Sequence, residues 1–234
     1  GARPIPAGAS LGEAEAKALL ASAGVPVAKE GLAGTAEEAV AAAESIGYPV
    51  VLKIASADIL HKTEIGGVRL DLADAAAVRV AFGEIMARAR KEKPSAQIDG
   101  CLVAPMIKGG VETILGVVHD AAFGPVVMFG LGGIFAEVLK DVTFRVAPFG
   151  LDEARAMIRE VKGFPLLDGA RGKPKLDQEA LAQALSALSV YAHANAGSLR
   201  SIDVNPFIVL EKGAVAVDAL IRSEEHTSEL QSHS

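Results

Sequence analysis

The sequence is short of several things, and each shortage removes a class of protein. There is one cysteine in 234 residues, Cys101, so no disulfide framework can hold the fold and a reducing, cytoplasmic compartment is expected. Basic residues are outnumbered, 23 Lys and Arg against 29 Asp and Glu, for a net charge of −6. No Lys/Arg run offsets that balance, and a nucleic-acid reader needs a basic surface to neutralise phosphates. The longest apolar stretch, residues 126–136, is broken by glycines and falls far short of the roughly 20 residues that span a bilayer. No secretory signal pattern is present at the start, and no internal repeat is visible. What remains is an ordinary globular composition, 50% hydrophobic and 22% charged, long enough for one large domain or two small ones.

Both ends differ in style from the middle. Residues 1–9 (GARPIPAGA) have the composition of a linker and no Met start, and are read as a linker remnant. Residues 222–234 (RSEEHTSELQSHS) hold one aliphatic residue, Leu230, and look like the translation of a common DNA-sequencing adapter. That stretch is expected to be non-native. The chain is therefore expected to be a fragment, with residues 10–221 as its domain.

Between the ends the punctuation predicts mixed helices and strands. Ser10-Leu11-Gly12-Glu13 has capping-box spacing for a helix reaching Ala23, where Gly24 and Pro26 stop it. Thr35 begins a second helix ending at Gly47, and Asp74 caps a third with Val78, Phe82, Ile85 and Met86 on one face. Residues 49–55, 101–107, 112–119 and 126–129 read as strands, 152–161 and 177–194 as helices, and 201–210 with 214–219 as a closing hairpin. Without strict βαβ alternation, the pattern favours an α+β fold in two lobes.

Four constellations carry possible chemistry. Lys53 is the one charge in VVLKIA (50–55). A charge in a buried strand is costly unless paired. A nucleotide phosphate would supply the partner, and a place on the solvent side of an edge strand would remove the cost. Residues 56–68 (SADILHKTEIGGV) end in Gly66-Gly67, where the backbone can approach a phosphate and donate its amides. His61 in that loop is either a nucleophile, since neutral imidazole can accept a phosphoryl group, or a solvated loop residue.

The third is Asp203-Val204-Asn205-Pro206, with Asp218 near the end of the hairpin partner. A carboxylate and an amide oxygen suit Mg²⁺, with phosphates and water completing the octahedron. An Asx turn would explain Asn205-Pro206 but not a carboxylate at Asp218 in an otherwise apolar segment. The fourth, Gly130-Leu131-Gly132-Gly133 with Glu137, can be a tight turn only. Asp99 and Arg145 receive no task from spacing, and Arg171-Gly172 is either a phosphate-reaching loop or a basic turn.

Together and in order, GYPVVLKI (47–54), ILHKTEIGGV (59–68), FGLGGIFAEVLKDVTFRVAP (129–148), GARG (169–172) and SIDVNPFIV (201–209) resemble one family. It is the ATP-grasp, or β, part of ADP-forming acetate–CoA ligases, also called NDP-forming acyl-CoA synthetases. The resemblance covers about residues 11–221.

The resemblance implies an ATP-grasp fold, with α+β lobes of roughly 10–108 and 109–221 enclosing a nucleotide cleft. Such enzymes interconvert acyl-CoA, ADP and phosphate with free acid, CoA and ATP, through an acyl phosphate and phosphohistidines. By resemblance, Lys53 is the nucleotide-phosphate lysine, His61 the relay histidine, and Gly66 and Gly67 the phosphate-loop glycines. Glu112 falls at the ribose position, Asn205 and Asp218 at the metal pair, and residues 104–107 at the adenine hinge. ATP or ADP and Mg²⁺ are the implied cofactors. The CoA-binding and ligase (α) domains are absent from these residues and are expected to be fused upstream, so the chain alone is not expected to complete the full reaction.

Two rivals follow. A non-catalytic, ATP-grasp-like regulatory module of a related acyltransferase would be expected to lose the histidine or the metal pair. A ligase that activates a carboxylate directly needs no relay histidine.

Overall fold

The structure, a computed structural model, describes residues 1–8, 10–59 and 62–224. It divides into two compact units, one of Ala28–Lys108 and the other of Gly1–Val27 with the chain from Gly109 onward.

The smaller unit is built on strands β2 (Gly31–Ala33), β3 (Val50–Ala55), β4 (Val68–Leu72) and β5 (Gly100–Pro105), in the antiparallel order β2-β5-β3-β4. Helices α2 (Ala36–Ile46) and α3 (Ala75–Glu92) cover one face. The twofold alternation of a strand sends Val50, Leu52 and Ile54 to that face, where they are buried with Val40, Val78 and Ile85. Both helix starts are chemically specified. Thr35 Oγ1 accepts from the Glu38 amide at 3.2 Å while Glu38 Oε2 accepts from the Gly34 amide at 2.8 Å, and Asp74 Oδ1 accepts from Ala77 N at 2.8 Å.

The larger unit carries a seven-stranded antiparallel sheet. Its strands are β1 (Ser10–Leu11), β6 (Val111–Asp120), β7 (Gly124–Leu131), β8 (Val142–Val146), β9 (Leu199–Val209), β10 (Ala214–Ala216) and β11 (Ala219–Ser223). They run in the order β1-β11-β9-β6-β7-β8, with β10 also beside β9. Helices α1 (Glu13–Ser22), α5 (Leu151–Glu160) and α6 (Gln178–Ala194) contribute Leu20, Met157, Ile158, Leu181 and Leu185 to the core on one side of this sheet. A four-residue helix α4 (Ile134–Glu137) follows β7.

Several expectations are corrected. Ser10 does not cap α1; Gly12 does, with no side-chain cap, because Ser10 and Leu11 pair with Arg222 and Ile221 and Leu11 enters the core. That pairing and the Val27–Ala216 bridge draw residues 1–27 into the larger unit, not the first lobe. The stretch read as a linker is tied down: the Ile5 amide donates to Asn195 Oδ1 at 2.9 Å, Tyr191 Oη donates to the Arg3 carbonyl at 2.7 Å, and Ile5 is buried. The last strand continues past Ile221 to Ser223, so Arg222 and Ser223 belong to the sheet. Glu224 is also held, its amide donating to the Ser198 carbonyl at 2.7 Å, and the remainder of the expected adapter tail, residues 225–234, lies outside the described residues. Strands β2, β4 and β8 are further additions to the predicted set.

Among the described residues no helix is long and apolar enough to cross a membrane.

Candidate functional site

Lys53 sits in the second-to-last strand of its sheet, paired with Leu102 of β5 on one side and Val68 of β4 on the other. The edge-strand explanation is therefore ruled out. Its neighbours Leu52 and Ile54 take the core face, so Lys53 projects from the opposite one, half-buried.

His61, the expected relay, lies outside the described residues. The turn that follows it is described from Lys62 onward. The Gly67 amide donates to the Lys62 carbonyl at 2.7 Å and the Gly66 amide to the Thr63 carbonyl at 3.1 Å. In this structure both glycine amides close the turn. The glycines also serve shape. Gly66 takes a left-handed φ of 69°. A Cβ on Gly67 would stand 2.7 Å from Ile54 Cγ2 and 2.9 Å from the Lys62 oxygen. The Gly67 carbonyl accepts from Ile54 N at 2.7 Å, which pins the turn beside Lys53.

Glu112, Asn205 and Asp218 belong to the larger unit. Residues 115 and 117 of β6, 202 and 204 of β9, and 127 and 129 of β7 are core residues. Their alternates, Ile114, Gly116, Val118, Asp203, Met128 and Gly130, share the other face of the sheet. Glu112 stands two residues before Ile114 on the same strand, opposite Ile208. Its carbonyl accepts from the Gly132 amide at 2.8 Å, and a Cβ on Gly132 would come within 3.1 Å of Glu112 Cβ. The glycine run at the end of β7 is therefore more than a turn: a side chain at Gly132 would crowd Glu112 and push it by a few tenths of an ångström.

Asn205 and Asp218 meet at an irregularity. Thr113 pairs with Phe207 and Leu115 with Val204, so Asn205 and Pro206 together stand opposite the single residue Ile114. This is a β-bulge, a device that re-aims side chains and is frequent near active sites. The neighbouring strand breaks at the same level, between β10 and β11. The break is closed by Asn205 N donating to the Asp218 carbonyl at 3.1 Å and Val217 N donating to the Pro206 carbonyl at 3.0 Å. The predicted pair is thus adjacent, with Asn205 exposed and Asp218 half-buried.

Among the described residues no group of three or more His, Cys, Asp or Glu side chains gathers as a metal site. One carboxylate and one amide oxygen fit a Mg²⁺ ion that takes its remaining ligands from phosphates and water.

Beside the bulge, Gly116 opens a trough of about 290 Å³ in the sheet face, bordered by Val118, Met128, Phe144 and Leu220, with Asp203 and Arg222 at one side. Asp203 keeps an exposed edge, but partial desolvation in the sheet raises its carboxyl above the usual range, and the Arg222 charge opposes that shift. Asp203 was legible only as part of the DVNP string; its setting requires the pairing with Gly116 and Leu220.

Other charged residues have structural work. Arg145 donates to Glu153 at 2.5 Å and to Glu160 at 2.7 Å, tying β8 to α5. Arg171 is exposed, with a left-handed φ of 58°. Arg69 and Arg88, which sequence reasoning passed over, both lie against Gly66. Arg69 Nη1 donates to the Gly66 carbonyl at 3.0 Å, and Arg88 Nε is 2.9 Å from the point a Gly66 Cβ would occupy. Neither stands in a motif, so only contact could reveal them.

The ATP-grasp domain profile matches residues 7–222. The chain is 46% identical over 209 residues to acetate–CoA ligase [ADP-forming] I subunit beta of Pyrococcus furiosus, covering 89% of this chain and 90% of that one. It is 43% identical over 205 residues to acetate–CoA ligase [ADP-forming] I of Archaeoglobus fulgidus, covering 88% of this chain but 30% of that longer one. Among solved structures, dinucleotide-forming acetyl-coenzyme A synthetase 1 of Ca. Korarchaeum cryptofilum, in complex with coenzyme A, Ca-AMPCP and HgCl⁺, superposes with a TM-score of 0.85 at 44% identity, covering 92% of this chain and 93% of that one. The same enzyme in complex with coenzyme A and Mg-AMPPCP, its phosphohistidine segment pointing towards the nucleotide-binding site, gives 0.81 at 42% identity, covering 92% of each chain. With the fold, the bulged Asn205–Asp218 pair and the half-buried Lys53 in place, these likenesses show that the chain belongs to the ATP-grasp domains of the ADP-forming acetate–CoA ligase family.

Proposed function

We propose that this chain is the nucleotide-binding half of an ADP-forming acyl-CoA synthetase, moving a phosphoryl group between His61 and ADP or ATP with Mg²⁺. In the full protein that step is coupled to acyl-CoA, ADP and phosphate giving free acid, CoA and ATP. The CoA-binding and ligase domains are supplied by a partner or by a longer chain. The observation that carries the proposal is the β9 bulge, which sets Asn205 beside Asp218. Complexes of the Korarchaeum relative with Ca-AMPCP and Mg-AMPPCP lend support.

Phosphoryl transfer is mainly positioning and charge neutralisation. In the direction of ATP use, an imidazole nitrogen of His61 bonds to the terminal phosphorus. The bond from that phosphorus to the bridging oxygen breaks, and its electron pair leaves on ADP; ATP synthesis is the reverse. Lys53 offsets charge on the phosphate oxygens, and Glu112 accepts from the ribose hydroxyls. Asn205 and Asp218 hold Mg²⁺, which when bound neutralises the phosphates. Gly66 and Gly67 act by shaping the turn after His61, since their amides are already engaged.

With Mg²⁺ and γ-labelled ATP, acid-labile label should appear on His61. Equal labelling of wild type and His61→Ala would sink the relay. Asp218→Ala should weaken Mg²⁺-dependent nucleotide binding by about tenfold or more, in line with loss of a metal ligand's charge; unchanged affinity would make Asp218 structural.

A further inference from the structure

The bulge that brings Asn205 to Asp218 is held along both edges of β9, and one of its holders is a side chain. Towards β10 and β11 the bonds are backbone ones, Asn205 N to the Asp218 carbonyl at 3.1 Å and Val217 N to the Pro206 carbonyl at 3.0 Å. Towards β6, Thr113 is the last residue in register before the bulge, opposite Phe207. Its hydroxyl donates to the Phe207 carbonyl at 2.6 Å. Thr113 shares the core face of β6 with Leu115 and Val117 and is fully buried, as are Phe207 and its β7 neighbour Leu131. Valines fill positions 117, 204 and 209 of the same core, so the hydroxyl is what sets Thr113 apart. A hydroxyl buried there is costly unless bonded, and this one is spent on the carbonyl that follows the bulge. Pro206 has no N–H, and the Asn205 amide goes to Asp218. The two bulged residues therefore give β6 no amide, and the Thr113 hydroxyl adds a bond to β9 where the ladder is thinnest.

We propose that Thr113 is a positioning residue for the metal pair: its hydroxyl fixes how far β9 bulges, and so where Asn205 stands relative to Asp218. The proposal rests on the reading of that pair as the Mg²⁺ holder. Mg²⁺ demands near-ideal octahedral geometry, so a small shift of one ligand is felt. The Thr113 bond suits the task because it is short and lies in the core, where water does not compete for the carbonyl. Thr113 faces the core while its neighbours Glu112 and Ile114 take the other face of the sheet. Its loss should therefore appear in the metal-dependent part of nucleotide binding and not in the binding of nucleotide alone.

The test uses the full chain and two measurements, the Kd for ATP with saturating Mg²⁺ and with EDTA, and amide hydrogen exchange in the metal-free protein. Thr113→Val keeps the outline of the side chain and removes the hydroxyl. It should cut the Mg²⁺-dependent gain in ATP affinity by about tenfold, while the Kd in EDTA stays within about twofold of wild type. The Asn205 and Val217 amides should exchange faster, with no metal present. Thr113→Ser, which keeps the hydroxyl, should stay near wild type in both. An unchanged gain in Thr113→Val overturns the proposal. So does an equal loss of affinity with and without Mg²⁺, which would mark general damage, and so does a lost gain without faster exchange, or a serine variant as impaired as the valine one. If Thr113→Val fails to fold by circular dichroism, Thr113→Ala read against Thr113→Ser decides by the same measurements. Asp218→Ala separates the two levels: a full Mg²⁺-dependent gain in it overturns the metal pair and the proposal with it, whereas a lost gain there beside a full one in Thr113→Val overturns the proposal alone.

Discussion

A methyl group added at Gly67 would stand 2.7 Å from Ile54 Cγ2 and 2.9 Å from the Lys62 carbonyl oxygen. Neither neighbour can step aside easily. Ile54 is fully buried between β3 and α3, and the Lys62 oxygen is held by the Gly67 amide itself at 2.7 Å. Relief requires an off-rotamer isoleucine or an opened turn, and overpacking of this kind costs about 1–3 kcal/mol. Two other glycines make the comparison informative. At Gly66 the added methyl meets only the flexible end of Arg88, at 2.9 and 3.0 Å, but the left-handed backbone penalises alanine by roughly 1–2 kcal/mol. At Gly83, inside α3, it meets nothing within 4 Å, and Gly→Ala should stabilise by about 1 kcal/mol through helix propensity. The assay is thermal unfolding, where a change of 1 kcal/mol moves Tm by about 2–4 °C in a chain of this size. Gly67→Ala and Gly66→Ala should both lower Tm and Gly83→Ala should raise it. Asparagine, which tolerates the left-handed region, should be milder than alanine at Gly66 and worse than alanine at Gly67. A Gly67→Ala protein that melts with wild type would refute the steric account of this turn.

Two further outcomes follow from other parts of the fold. Asp177 caps α6 and also accepts from the Gly213 amide at 2.7 Å, and these amide bonds, from Gly213 first and Ala180 second, hold its carboxyl below the usual range. A depressed carboxyl stabilises above its unfolded pKa and loses that effect as pH falls through the folded one. Asp177→Ala should therefore cost about 1–2 kcal/mol at pH 7 in urea unfolding, with the gap to wild type closing on acidification below the ordinary Asp range; a gap independent of pH would count against the carboxylate. Burial pushes the Cys101 thiol up to about 12, so at pH 8 it should ignore a disulfide reagent in the native protein and react fully in denaturant. Rapid native reaction would mean that β5 opens.

Much of the candidate site was legible in the sequence because its signals are local or compositional. A lysine inside VVLKIA, a Gly-Gly pair and an Asn-Pro step are oddities of a few residues, and each fell where the structure has a strand, a turn and a bulge. What those residues do locally was less legible. The Gly66 and Gly67 amides were read as donors to a phosphate; in this structure they close the turn. Arg69 and Arg88 carry no motif and become visible only by what they touch.

By itself the sequence determined the helices whose caps and apolar faces lie within one stretch of chain. Thr35, Asp74 and Asp177 each cap the helix they were expected to start. It also determined the strands 50–55 and 111–120, and the family to which the motif order belongs. Tertiary structure alone decided that residues 10–11 are a strand and not a helix cap, because their partner, β11, lies some two hundred residues away. It alone decided that the linker-like start is docked on α6, that Arg222 and Ser223 belong to the sheet, and that β9 bulges and its neighbour breaks where Asn205 meets Asp218. The division follows the range of the forces. Capping and side-chain periodicity act over three or four residues and can be read along the chain, whereas pairing register and bulges are settled only when distant strands compete for the same hydrogen bonds.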